Sequence, residues 1–288
     1  MMSDTTVQAP SQGWLSRLWR SAPVRIIVGA LVTILPVALP MAAIHALIAK
    51  PYRQVWPFLL ASLFCLLAYR WFTQTVEKRS PTELARQGAL RELGLGLLMG
   101  LGLICAVTLA LRAVGLVHFE VGDATNWPRL FGEMTLAAAM EEVVFRGVLF
   151  RILANWLGAR AAIVISALLF GVAHLNGDGF TVTAFIGLVL ASVMLTAAYM
   201  RRGRLWLPIG LHFGWNFTCT ALFGYTTSGH AAQGYLHTTL TGPDWLSGGA
   251  FGVEASVVTL LATVIVSVIL LVRPSIPLVP RINKESHA

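Results

Sequence analysis

The chain has 288 residues, 56% of them hydrophobic and only 12% charged, with a mean hydropathy of +0.72. A soluble domain carries roughly a quarter charged residues, so the composition excludes an ordinary globular protein and points to an integral membrane protein. The net charge of +8 comes without the dense basic clusters of a nucleic-acid binder, so it reads as topology signal and headgroup affinity, with no nucleic-acid partner.

The chain begins with a basic segment, residues 1–25. Within it SQGWLSRLWRSAPVR places Trp14, Leu15, Leu18 and Trp19 on one helical face beside Arg17 and Arg20. The segment reads either as a short helix at the membrane interface or as a disordered basic tail. Eight apolar stretches follow, at about the 20 residues that a bilayer-crossing helix needs: 26–49, 56–72, 93–117, 129–153, 160–175, 180–200, 205–223 and 250–272. Pro36 and Pro40 predict a kink in the first. Gly94, Gly96, Gly100 and Gly102 in the third suit close helix packing. Residues 224–249, rich in Gly, Ser and Thr, are expected to form the longest external loop.

Lysine and arginine placement orients these spans. With the N-terminus inside, sixteen of the 21 basic residues fall on the cytoplasmic side, and Lys50, Arg53 and Arg129 on the other. That asymmetry follows the positive-inside rule and predicts that both termini are cytoplasmic. The expected fold is an all-α polytopic membrane bundle of about eight transmembrane helices. It divides into residues 1–25, N-terminal spans 26–128, a core at 129–223, and a loop, last span and tail at 224–288.

One stretch departs from the oil around it. AAAMEEVVFRGVLFR, residues 137–151, sets Glu141, Glu142 and Arg146 near the middle of the fourth span. A charge at that depth costs at least ~2.5–3.5 kcal/mol, so each needs a partner. Glu142 and Arg146 are four apart, stacked on one helical face and able to pair. Glu141 is turned about 100° away and must find its partner on another helix. FGVAH in the fifth span offers His174, and HFGWN in the seventh offers His212 and Asn216 on one face. Facing each other, these groups could activate a water and supply donors for a developing oxyanion.

EEVVFR, FGVAH and HFGWN fit EExxxR, FxxxH and HxxxN in this order on successive hydrophobic spans. Across residues 129–223 the chain therefore resembles the CAAX-processing and bacteriocin-processing (CPBP, or Abi) family of intramembrane proteases, to which the type II CAAX prenyl endopeptidase belongs. The resemblance implies a glutamate-dependent endopeptidase acting on a peptide or membrane protein. By motif position it implies that Glu141 and His174 activate water, that His212 and Asn216 stabilise the oxyanion, and that Glu142 and Arg146 shape the site. It favours a mechanism without a metal. Zinc is the alternative, with Glu141, His174 and His212 as its ligands.

Two other classes stand beside the protease. One is a non-catalytic membrane binder, such as a bacteriocin-immunity protein. The other is a proton-coupled transporter, for which the chain lacks inverted repeats. His174, about 14 residues from the inner end of its span, is expected in the outer half of the membrane, with a cavity opening externally or laterally to lipid. The plasma membrane of a bacterium is the expected location. Cys65, Cys105 and Cys219 read as small buried hydrophobes, Trp215 as a residue that could line the cavity, and His45 as structural. His118, His230 and His237 read as solvent-exposed, and Glu133 is assigned no role.

Overall fold

The computed structural model describes residues 21–122, 126–230 and 234–272. The interfacial helix expected before residue 21 and the basic tail after residue 272 lie outside these described residues. The protein is an all-α membrane protein with one small β-ribbon. Helix α1 spans Ala22–Leu47 and α2 Trp56–Trp71, extended by a π turn, Phe72–Val76. Helix α3 spans Ala89–Ala113, and strand β1 Val117–Val121. A long rod follows: α4, Trp127–Glu142, a π segment, Val143–Phe150, and α5, Arg151–Leu157. Next come α6, Ala159–Ala173, α7, Val182–Met200, and α8, Trp206–Phe217, which also ends in a π turn, Thr218–Leu222. Strand β2, Leu236–Leu240, short helix α9, Asp244–Ser247, and helix α10, Val257–Leu271, complete the described chain.

Each expected span falls on one of these rods. By length and composition, four helical stretches are apolar enough to cross a membrane: Ala22–Leu47, Trp56–Val76, Ala89–Ala113 and Val182–Met200. Their outer faces carry exposed leucines such as Leu39, Leu67, Leu98 and Leu109, surface that suits lipid better than water. Helix α1 runs through Pro36 and Pro40 without a break.

The structure revises three expectations. The helix expected at 250–272 starts only at Val257, because residues 249–255 form two 3₁₀ turns around Gly252, whose φ of +101° suits a glycine. Ser256 then caps α10 by accepting from the Val258 N–H at 3.2 Å. The loop at 224–249 contains β2, which pairs antiparallel with β1 from Val117↔Leu240 to Val121↔Leu236. Of the four glycines in α3, only Gly96 and Gly100 make close approaches. A Cβ on either would lie 2.3 Å from a carbonyl oxygen of α8, Leu207 or Leu211, whereas Gly94 and Gly102 have nothing within 4 Å.

The approach is reciprocal, since a Cβ on Gly210 or Gly214 would sit 2.3 or 2.4 Å from the carbonyl of Leu93 or Leu97. Small residues four apart on both helices let the backbones touch. At 100° per residue, His212 and Asn216, each two residues beyond one of these glycines, point away from α3. Burying the glycine face thus aims the polar face of α8 toward α4.

At the end of the α4–α5 rod away from Trp127, where α5 begins, charged groups tie three elements together. Buried Glu77 accepts from Arg25 of α1, from Arg79 at 2.8 Å and from Arg151 of α5 at 2.7 Å. Arg79 also donates to Glu83 at 3.0 Å and to the Tyr69 hydroxyl at 3.2 Å. Burial alone would raise the Glu77 pKa, but the charge of Arg151 and the hydrogen bonds from Arg25, Arg79 and Arg151 hold it below the usual value.

Candidate active site

Glu141 and Glu142 end the α-helical part of α4, and the backbone widens into the π segment at Val143. Wide turns of this kind concentrate at functional sites. HFGWN, on α8, is also followed by one. Glu142 and Arg146 are fully buried, and Glu142 Oε1 accepts from Arg146 Nη1 at 2.9 Å, the pairing expected from their spacing. Arg146 is held further by Ser192 of α7, whose carbonyl and hydroxyl oxygens each accept from Nη2 at 3.0 Å. Its guanidinium also lies 5.1 Å from the centre of the Phe170 ring. The Phe of FGVAH therefore flanks the arginine of EEVVFR.

The same Glu142 Oε1 receives Nδ1 of His212 at 2.9 Å. An ionised carboxylate accepts only, so Nδ1 carries the proton and Nε2 is turned toward Glu141. His174 repeats this arrangement. It caps the end of α6, and its Nδ1 donates to the Phe170 carbonyl at 2.7 Å. In a neutral His174 the Nε2 is then an acceptor.

Glu141 stands between the two rings, with Oε2 3.9 Å from Nε2 of His174 and 3.9 Å from Nε2 of His212. Both distances are too long for a hydrogen bond, and a gap of this size accommodates one bridging oxygen. Oε2 is buried and has no hydrogen-bond partner within the protein. Asn216, one turn beyond His212, lines the same cavity of ≈ 620 Å³, which extends to Lys50, Arg129 and Glu133 near the start of α4. The six motif residues, Glu141, Glu142, Arg146, His174, His212 and Asn216, are thus brought together from three helices. Among the described residues no group of three His, Cys, Asp or Glu side chains is arranged to hold a metal ion.

Residues 123–218 match the model of the type II CAAX prenyl endopeptidase Rce1-like family. The matched stretch is about a third of the chain and holds all six motif residues. No curated protein and no solved structure matches the chain. The Rce1-like match carries a protease setting, a peptide or protein substrate and a membrane location.

Parts of the cavity wall lie outside the Rce1-like stretch. Lys50 comes from the turn after α1, while Thr220, Thr227, Ser228 and His230 come from the end of α8 and the segment beyond it. Glu133 also lines the cavity and accepts from Arg129 Nε at 2.7 Å. Its place on the wall follows from a spacing visible in the sequence, since Arg129, Glu133, Ala137 and Glu141 recur every fourth residue. His230 is exposed, as expected, but on the cavity wall. Trp215 is buried beside the cavity and donates from Nε1 to Glu254 at 2.7 Å. No local pattern in the sequence marks Glu254 as part of this region.

Proposed function

We propose that this protein is an intramembrane endopeptidase that cleaves a peptide or membrane-protein substrate by general-base attack of water. The observation that carries the reading is the Glu141 carboxylate, 3.9 Å from Nε2 of two histidines whose Nδ1 atoms are already engaged. A water in that gap would touch Glu141 and the free Nε2 of His174, which together accept its proton as it attacks the scissile carbonyl. The oxyanion would form toward α8, where the Asn216 amide and His212 donate. Because the Nδ1 proton of His212 is committed to Glu142, donation through Nε2 requires the imidazolium. Collapse returns the proton from Glu141 or His174 to the departing amine. Glu142 and Arg146 hold His212 in place and take no proton.

We place the chain in a membrane with about eight spans and both termini cytoplasmic. The cavity then opens externally, at the end marked by Lys50 and Arg129, the two outer-side basic residues on its wall. A bacterial plasma membrane fits this reading, and no metal enters the mechanism. The test is N-terminal peptide profiling of membranes from cells expressing wild type, Glu141→Gln or no protein, repeated with a zinc chelator. New termini seen only with wild type, and unaffected by the chelator, are the expected result. Identical profiles for wild type and Glu141→Gln would overturn the protease reading in favour of a binder. Loss of the wild-type termini on chelation would give the reaction to zinc.

A further inference from the structure

Glu254 is a buried carboxylate with no place in the mechanism above, and it lies outside the matched stretch. It sits in the 3₁₀ turn Val253–Ala255, just before α10. Its Oε1 accepts from the Trp215 indole of α8 at 2.7 Å. Its Oε2 accepts from the backbone N–H of Ser228 and from the Ser228 hydroxyl at 3.3 Å. Both oxygens are thus occupied, one by the helix that bears His212 and Asn216, the other by the turn that forms a cavity wall.

That turn is unusual in itself. Ser228 has a φ of +50°, a left-handed conformation that a residue other than glycine rarely adopts. Such a conformation persists only where its surroundings over-determine it, and the bond from its N–H to Glu254 does so here. The turn also abuts the segment after His174. The Asp178 N–H donates to the Gly229 carbonyl at 3.0 Å, and a Cβ on Gly177 would lie 2.7 Å from the Ser228 carbonyl oxygen. A chain of contacts therefore runs from α8 through Glu254 and Ser228 to the loop that continues from His174. It links the half of the site that would activate water to the half that would hold the oxyanion.

Resting on the protease reading, we infer that Glu254 is a positioning residue that sets the separation between His174 and the His212–Asn216 pair. It does not reach the reacting atoms. It lines a separate chamber of ≈ 20 Å³ that shares His212, Asn216 and Ser228 with the main cavity, and it is not on the wall of that cavity. Its effect is therefore on geometry, where a shift of about 1 Å can alter turnover by up to about a hundredfold.

The experiment uses the full chain in lipid nanodiscs and an internally quenched, farnesylated peptide ending in a CAAX sequence. Glu254→Gln keeps the length of the side chain, but it has only one acceptor oxygen, so either Ser228 or the Trp215 indole loses its acceptor and meets an NH₂ instead. We expect kcat per folded molecule to fall about tenfold, the usual scale for supporting residues, with KM little changed. Glu254→Asp, which retains two acceptors, should recover part of that loss although it is shorter. In parallel, hydrogen exchange over residues 175–179 and 226–230 should quicken in Glu254→Gln. Wild-type kcat, or unchanged exchange in both segments, would overturn the inference. Should Glu254→Gln not fold, Trp215→Phe severs only the α8 arm, and full retention of kcat there would overturn it equally. If wild type leaves the peptide intact, prenyl-peptide cleavage fails as the function. The exchange measurement then decides the clamp alone, faster exchange supporting it and unchanged exchange refuting it.

Discussion

Two clusters of buried charge lie along the α4 rod, and they are built in opposite ways. At the far end, Glu77 is saturated by Arg25, Arg79 and Arg151, and its charge is answered on both oxygens. Near the rod's middle, Glu142 is paired through Oε1 alone, with no protein partner on its buried Oε2, and its neighbour Glu141 presents an unpartnered oxygen to a cavity and two imidazoles. A saturated carboxylate holds helices together and has no capacity left for a substrate. An unsaturated one destabilises the fold and is free to take a proton. What sets Glu141 apart is an unmet hydrogen bond beside a cavity, on a side chain 22% exposed against 1% for Glu77.

The most direct way to break this contrast is to neutralise each carboxylate without changing its shape. Glu141→Gln should reduce cleavage by about 10²–10⁴-fold, the range for a lost general base, while the melting temperature in detergent stays near that of wild type. Glu77→Gln should do the reverse. It leaves three arginines around a neutral amide, and breaking a buried ion pair costs about 3–5 kcal/mol. Thermal unfolding should show that loss, with kcat per folded molecule little changed. If Glu77→Gln abolished turnover and left stability intact, the division between the clusters would be wrong.

Acid offers a milder test of the same difference. The folded-state pKa of Glu77 lies below its unfolded value, so its contribution to stability is complete above the unfolded value of about 4.3. That contribution disappears as the pH falls through the lower, folded-state value. The melting temperature of wild type should therefore drop steeply below about pH 4–5, and Glu77→Gln should drop less over the same interval. Parallel curves for the two proteins would mean that the arginines do not depress this carboxyl.

Much of the cluster near the rod's middle was legible in the sequence because its key relations are local. The i, i+4 spacing of Glu142 and Arg146 specifies a pair within one helix, and the same spacing puts His212 and Asn216 on one face. The helices were legible for the same reason, since apolar runs of helix length need no knowledge of neighbours, and four of them are long and apolar enough to cross a membrane. What stayed hidden is non-local. The register of Val117–Val121 with Leu236–Leu240 joins strands more than a hundred residues apart, neither of them strongly patterned. Glu254 reaches Trp215 and Ser228 across turns whose path depends on glycines with positive φ. The π turns at Val143–Phe150 and Thr218–Leu222 leave no compositional mark, because VVFRGVLF and TCTAL share no pattern that sets them apart from α-helix.

The glycines of α3 show how a legible pattern can still conceal the operative contact, and they supply the smallest effect. Gly94, Gly96, Gly100 and Gly102 are indistinguishable in the sequence, yet only Gly96 and Gly100 meet the backbone of α8. Gly100→Ala forces a methyl group to within 2.3 Å of the Leu211 carbonyl, and backbone cannot step aside as a side chain would. Overpacking of this kind costs about 1–3 kcal/mol. Because α8 carries His212 and Asn216, displacement of that helix should also lower turnover per folded molecule. Gly94→Ala meets nothing and replaces a poor helix former with the best one, so it should raise stability by about 0.5–1 kcal/mol and leave turnover alone. Thermal unfolding and cleavage measured on both variants would separate the roles. Equal destabilisation by the two would mean that α3 contacts α8 along a different face, and the aim of the polar face of α8 would need another cause.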